Sequence, residues 1–334
     1  MRGDLRVVAT ERRNRNFKVL AGIGPSYLVK QAKNAETVRT LTHEAAVLRA
    51  LSMRHDRLSA HLPRCADFDP DRVVLVLDLA PGAESLNDSN LRRRRFSPSE
   101  ARSTGRIVAL VHRRPPPFEL RDGSLPATLL LHRPRLGLLS DLSRGDLRLL
   151  EAAQSDPVFS EALDELGRTW RPASLVHGDL KWDNLVMVSD RRDVGGHLML
   201  VDWELAGPGD PRWDVGTALS TFLSSWVMSI PMAGDGASPQ LMRLAMFPLQ
   251  RLQPAARAFW SGYRRTAGLE GDAAAGFLEV AIRFAAGRLV QTAFEYLQMS
   301  SQLSANAVAM VQLAANVMRE PQRAATSLLG LETP

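Results

Sequence analysis

Leu175-Val-His-Gly-Asp-Leu-Lys-Trp-Asp-Asn-Leu-Val-Met-Val188 is answered further along the chain by Leu198-Met-Leu-Val-Asp-Trp-Glu204. Each stretch joins an apolar, β-prone run to a polar cluster. In the first, Val176 precedes the cluster and Leu185, Val186, Met187 and Val188 follow it, which reads as strand–loop–strand. In the second, Asp202 comes directly after the run Leu198-Met-Leu-Val201. A tight hairpin through residues 190–196 would bring Asn184 and Asp202 close together. Phosphoryl transfer needs such an arrangement: an acceptor for a hydroxyl proton beside oxygen ligands for a divalent cation.

His177-Gly-Asp-Leu-Lys-Trp-Asp-Asn184, followed by Asp202-Trp-Glu204 and Gly209-Asp-Pro-Arg-Trp-Asp214, resembles the aminoglycoside phosphotransferase/choline kinase family, a relative of the protein kinases. A lone His-Gly-Asp is common by chance, whereas the full spaced set is much more specific. The resemblance implies an α+β fold of two lobes, a small β-rich lobe over residues 1–80 and a mostly helical lobe over 81–334. It implies that Asp179 is the catalytic base and that Asn184 and Asp202 hold Mg²⁺. Lys181 would neutralise the γ-phosphate of ATP, His177 would brace the loop, and Glu204 would assist through water. Asp214 would tie the following helix back to the catalytic loop.

Composition sets the outer bounds. The chain has 334 residues, 45% hydrophobic and 23% charged, as expected of an ordinary globular protein. The single cysteine, Cys65, rules out an internal disulfide, is too few for a cysteine zinc site, and fits a reducing cytoplasm. Residues 1–16 have no apolar core of the signal-peptide kind. The uncharged stretch 215–234 carries serines, threonines, glycines and Pro231, which favours a buried helix over a membrane span. A net charge of +6 suits an anionic partner, yet the arginines are scattered and no nucleic-acid-binding motif accompanies them. ATP with an acidic substrate, or an arginine-rich genome, explains the basicity as well.

Ahead of the motif, residues 5–10, 16–20 and 27–31 read as three strands, with the turn Gly22-Ile-Gly-Pro-Ser26 between the last two. In a kinase-like lobe the phosphate loop lies between strands one and two, and the lysine lies on strand three. Lys30 follows Gly24 too closely for a strand to intervene, so the glycines belong to the next hairpin. The phosphate loop is then Glu11-Arg-Arg-Asn-Arg-Asn16, without glycine, where backbone N–H groups assisted by Asn14 would cradle phosphates. By resemblance Lys30 contacts the α/β-phosphates and is held by Glu44, in the helical stretch 36–51. Residues 73–79 form a strand leading to the crossing between lobes, and the backbone of Leu77 to Leu79 is the place for an adenine edge. His43 and His55 have no metal-ligand spacing and are expected at the surface.

Arg92, Arg93, Arg94 and Arg95 form a basic run before the helix start Phe96-Ser-Pro-Ser-Glu100; it reads as a solvated face or as a contact for an anionic peptide or phosphate. Further helices are expected over 101–112, 129–150, 158–170 and 215–226, and Leu278, Ile282, Ala285 and Leu289 recur at helical spacing. Asp-x-Lys at Asp179 and Lys181 resembles the serine/threonine protein kinases. With Tyr27-Leu-Val-Lys-Gln31 and Asp202-Trp-Glu-Leu-Ala206, it resembles most the branch found beside ribosomally made, lanthipeptide-type peptide pathways. That resemblance implies phosphorylation of Ser/Thr in a precursor peptide and a separate lyase that eliminates the phosphate; a peptide with an acidic leader would be drawn to the run Arg92 to Arg95. A small-molecule alcohol such as an aminoglycoside or sugar is the alternative acceptor, and a pseudokinase-like peptide-binding module a second alternative. Neither nucleic acid nor a membrane is an expected partner.

Overall fold

The computed structural model describes residues 4–11, 14–54, 56–79, 82–116, 123–133, 144–188, 196–232, 238–300 and 304–332. The chain folds into a small antiparallel β lobe followed by a larger helical lobe. Strands β1 (Leu5–Glu11), β2 (Arg15–Ala21), β3 (Ser26–Gln31), β4 (Cys65–Asp69) and β5 (Val74–Leu79) make one sheet in the order β1-β2-β3-β5-β4. Helix α1 (Ala35–Ser52) leaves the sheet after β3. Its start is fixed by Asn34, whose side chain accepts from the Thr37 N–H while the Thr37 hydroxyl takes the Asn34 N–H, a reciprocal capping box. Leu41, Ala45, Leu48 and Leu51 are buried beneath the sheet-side face of α1, and Glu44 is buried among them.

The glycines at 22 and 24 lie in the β2–β3 connection, as their spacing from Lys30 requires, and the β1–β2 turn precedes them. Within that first turn Arg12 and Arg13 lie outside the described residues, as do His55 and most of the 190–196 turn.

The second lobe begins with β6 (Glu84–Ser85), α2 (Leu86–Arg93) and α3 (Pro98–His112), the last started by Pro98 in the first turn and by the Ser97 cap. Helices α4 (Arg144–Gln154) and α5 (Pro157–Thr169) follow. Where one helix was expected over 129–150, the described residues show a 3₁₀ turn at Ala127–Leu130 and α4, with 134–143 outside them. Strands β7 (Ser174–Val176), β8 (Leu185–Val188), β9 (His197–Leu200) and β10 (Gly207–Gly209) frame the motif region. Then come α6 (Pro211–Met228), α7 (Pro239–Arg243), α8 (Leu249–Ala267), α9 (Gly271–Ser300), α10 (Ala305–Arg319) and α11 (Pro321–Ser327). Helix α6 is a buried helix, and among the described residues no helix is long and apolar enough to cross a membrane.

Helices α3 and α8 cross at two glycines. A Cβ on Gly105 would stand 2.2 Å from the Phe259 carbonyl oxygen, and one on Gly262 would stand 2.3 Å from that of Arg102. Backbone on the far side cannot yield as a flexible side chain would. Replacing Gly262 by Val is therefore expected to cost about 1–3 kcal/mol or more through overpacking. A lowered midpoint in denaturant unfolding, with an unchanged slope, checks this.

Candidate functional site

Two short ladders hold the motif. β8 and β9 pair antiparallel with Leu185 opposite Leu200, and the Val201 N–H donates to the Asn184 carbonyl at 2.9 Å. Asn184 at the entry of β8 and Asp202 beyond the exit of β9 are thus neighbours. The return strand β10 pairs with β7, Gly207 opposite Val176, so the segment after Asp202 folds back on the strand that enters the loop. Three motif tryptophans are fully or nearly buried. Trp182 packs edge-on against Phe96 and Phe222, with centroids 5.3 and 5.2 Å away, and Trp203 packs on His177 at 4.9 Å. Trp213 packs on Phe284 and donates its indole N–H to the Gly178 carbonyl at 3.0 Å.

One carboxylate organises the backbone just ahead of Asp179. Asp214, 1% exposed at the start of α6, accepts the His177 N–H at 2.7 Å and the Gly178 N–H at 3.0 Å. The His112 imidazole also lies 3.1 Å from it, and its other ring nitrogen meets the Tyr263 hydroxyl at 2.9 Å. Gly178 has φ +82, and a Cβ there would stand 2.5 Å from the Leu205 carbonyl oxygen, so this position demands glycine. His177 is buried, with Nε2 2.9 Å from the Val201 carbonyl, which ties the loop to the end of β9.

Asp179 sits between two cations. Its Oδ2 lies 2.7 Å from Lys181 Nζ and accepts from the Asn184 amide at 3.2 Å. Its Oδ1 lies 2.9 Å from the guanidinium of Arg288, on α9, yet has no donor in line. The aligned hydrogen bond of that guanidinium nitrogen goes instead to Glu295. Burial alone would push the Asp179 carboxyl up, but Arg288, Lys181 and His177 together bring it down to about 2. It is therefore ionised at any ordinary pH.

A second junction joins the lobes. Lys30, on β3, stands opposite Asn16 on one side and Leu75 on the other, and its amine reaches both carboxylate oxygens of Glu44 at 2.9 Å. The same amine lies 2.9 Å from Asp202 Oδ1. Burial would lower the Lys30 pKa, but these carboxylates outweigh it and raise it, so the amine stays charged. Lys30 in turn overcomes the upward effect of burial at Asp202 and lowers that carboxyl. Asp202 has φ +68, an uncommon conformation outside glycine, and from it the side chain turns toward Lys30.

The structure amends several expectations. His43 is not a free surface residue: it is half-buried, and its Nε2 lies 2.6 Å from the Ala206 carbonyl, linking α1 to the segment after Asp202. Leu77 and Leu79 lie inside β5, paired with Leu28 and Ser26, and Leu77 also faces Cys65. Leu79 is paired with β3 alone, since the β4 ladder ends at Leu77, and residues 80 and 81 lie outside the described residues. Asn14 is buried at the β1–β2 turn, and its side-chain oxygen has no hydrogen-bond partner among the described residues. Of the basic run, Arg92 pairs with Glu84 at 2.7 Å and Arg93 with Glu100 at 2.6 Å, so half of its charge is answered locally.

Arg288 was not legible as a site residue. It lies beside Leu289 in a helix whose apolar spacing reads as core. The signal was present as a polar stripe, Arg288, Gln291 and Glu295, at i, i+3 and i+7 on one face of α9.

The comparisons with known proteins agree with this geometry. The model of the phosphotransferase enzyme family matches residues 4–245. No curated protein matches the chain. Among solved structures, choline kinase LicA from Streptococcus pneumoniae is similar, with a TM-score of 0.56 at 14% identity, covering 91% of this chain and 89% of that one. A choline/ethanolamine kinase family protein from Mesorhizobium loti gives 0.55 at 16% identity, covering 96% and 89%. A glucosamine kinase in complex with glucosamine, ADP and inorganic phosphate gives 0.56 at 16% identity, covering 95% and 80%. At such identities the likeness shows the fold alone, that of small-molecule kinases. The family match over 4–245 takes in the 177–184 loop, Asp202 and Asp214, and on it the chain belongs to the phosphotransferase enzyme family.

Proposed function

We propose that this phosphotransferase moves the γ-phosphoryl group of ATP to an alcohol, with Asp179 as the base, Lys30 on the nucleotide phosphates, and Asn184 and Asp202 as the Mg²⁺ ligands. The observation that carries the reading is the Lys30–Glu44–Asp202 junction, three residues from two lobes at 2.9 Å, with an ionised Asp179 near enough for its charge to act on Asp202. The donor set fits the metal. The Asn184 NH₂ is committed to Asp179, leaving its oxygen to coordinate, and Asp202 is 38% exposed at its side chain. Among the described residues no group of three or more His, Cys, Asp or Glu could hold a metal ion, and Mg²⁺ needs none, since one or two protein oxygens suffice beside phosphates and water. When bound, Mg²⁺ supplies charge neutralisation at the transferring phosphates.

The chain's own residues supply position and charge. The acceptor oxygen forms a bond to the γ-phosphorus as the bond to the β,γ-bridging oxygen breaks. ADP leaves with the electron pair, and the hydroxyl proton passes to Asp179. Lys181, 2.7 Å from Asp179, stands where it can meet both that carboxylate and the negative charge on the transferring group. His177 and Asp214 keep the loop in place through the backbone contacts given above.

A small-molecule alcohol is the first reading of the acceptor. The similar glucosamine kinase fold holds a sugar and ADP, and the paired Arg92 and Arg93 offer less free charge to an acidic leader than the bare run promised. Ser/Thr of a precursor peptide, with a separate lyase downstream, is the second reading, favoured by the Asp179–Lys181 pair of the serine/threonine-kinase pattern. Mass spectrometry after incubation with Mg²⁺ and ATP separates them. One panel holds sugars, amino alcohols and aminoglycosides, the other Ser/Thr peptides encoded beside the gene. The expected result is one added phosphate on a member of the first panel. Modification of peptides alone selects the second reading, and no ATP turnover in either panel overturns the proposal.

A further inference from the structure

Beyond the residues of the motif, we infer that Arg288 is a positioning residue which fixes the orientation of the Asp179 carboxylate from its buried side, so that the carboxylate faces the acceptor's hydroxyl. This rests on the reading of Asp179 as the base.

The two carboxylate oxygens are in different situations. Oδ2 is taken by Lys181 at 2.7 Å and by the Asn184 amide at 3.2 Å. Oδ1 is buried, with a cation 2.9 Å away and no aligned donor among the described residues, so its place is fixed electrostatically.

Arg288 is suited to fixing that place. The residue is 3% exposed, in the middle of α9, and a buried guanidinium is costly unless its charge is answered. It is answered twice, by Asp179 and by Glu295 at 3.2 Å. Glu295 is itself held: the Gln291 amide donates to it at 3.0 Å, and the Thr128 hydroxyl donates to Gln291 at 2.7 Å. A connected chain thus runs from the turn Ala127–Leu130 through Thr128, Gln291, Glu295 and Arg288 to Asp179. The far anchor holds the guanidinium between Glu295 and Asp179, so the carboxylate is braced against a group that is itself fixed. Misplacing a reacting group by about 1 Å costs up to a hundredfold in rate, so a small rotation of Asp179 is enough to matter.

The test compares Arg288→Gln, Arg288→Lys and Glu295→Gln with wild type, in ATP turnover with Mg²⁺ and the acceptor found in the panel above. Arg288→Gln is expected to lower kcat by about tenfold or more, with KM for ATP changed less than about twofold, because Lys30 and Asp202 are untouched. Arg288→Lys, which keeps the charge but not the fork, should recover part of the loss. Glu295→Gln should lower kcat by a few fold in the same direction. A crystal structure of Arg288→Gln should show the Asp179 carboxylate turned onto Lys181 and Asn184. Unchanged kcat in Arg288→Gln, equal losses in the Gln and Lys variants, or a rise in KM for ATP matching the fall in kcat each overturns the inference. Should Arg288→Gln fail to fold, Arg288→Lys decides alone: a several-fold fall in kcat at constant KM supports the assignment and wild-type kcat refutes it. The underlying reading fails differently. If Asp179→Asn keeps full activity, Asp179 is not the base. If it is inactive while Arg288→Gln is not, only the role of Arg288 falls.

Discussion

Asp179→Asn lowers kcat by at least about a hundredfold and leaves nucleotide binding close to wild type, the loss expected when a positioned proton acceptor is removed. The side chain keeps its shape, so Asn184 and the Asp214-held backbone stay in place, and only the proton acceptor and its charge are lost. Stopped-time turnover assays together with calorimetric titration of ATP separate the two effects, and near-normal transfer would remove Asp179 from the mechanism. The pH dependence has a definite sign. With its carboxyl at about 2, below the ordinary 3.8, Asp179 is ionised throughout the neutral and mildly acid range. Its ion pairs contribute stability above the unfolded value, and that contribution is lost as pH falls from there toward about 2.

Asp202→Ala has the second large effect, and on a different quantity: Mg²⁺-dependent ATP binding falls below detection, while the fold persists. The fold should persist because Lys30 keeps both Glu44 contacts at 2.9 Å and is not stranded as an unpaired buried cation. Calorimetry with ATP in the presence and absence of Mg²⁺ gives the readout, with a thermal melt as the control. Retained metal-dependent affinity would place the metal elsewhere.

The parts of the site readable from sequence are those where one residue type at one spacing has a single geometric solution. The run Leu185–Val188 and the run before Asp202 have to pair for Asn184 and Asp202 to meet, and they do. Lys30 follows Gly24 too closely for another strand, so the spacing alone assigns the glycines to the β2–β3 turn, where they lie. What escaped detection depends on side-chain direction across long separations. Arg288 is far from Asp179 in sequence and looks like one polar residue in an apolar helix. His43 looks like a surface residue on α1 until the segment after Asp202 folds against it. Leu77 and Leu79 lie in a strand, Leu77 between β3 and β4 and Leu79 beside β3 alone, a difference that only the sheet order reveals. The arginine run shows the complementary error: a block of like charge in sequence faces Glu84 and Glu100 once α2 and α3 form.

The Lys30 amine, shared between Glu44 and Asp202, has a consequence for how nucleotide enters. Asp202 already has a cation beside it, and Lys30 already has two anions. On the proposed reading, Asp202 trades ammonium for metal while Lys30 trades Asp202 for phosphate. Nucleotide capture is then a double decomposition, a swap of counter-ions within a site that is already ion-paired. Because each new pair replaces an old one, the net electrostatic gain is a difference between similar contacts. Affinity for Mg·ATP should therefore change less with added salt than the number of charges in the cleft would suggest.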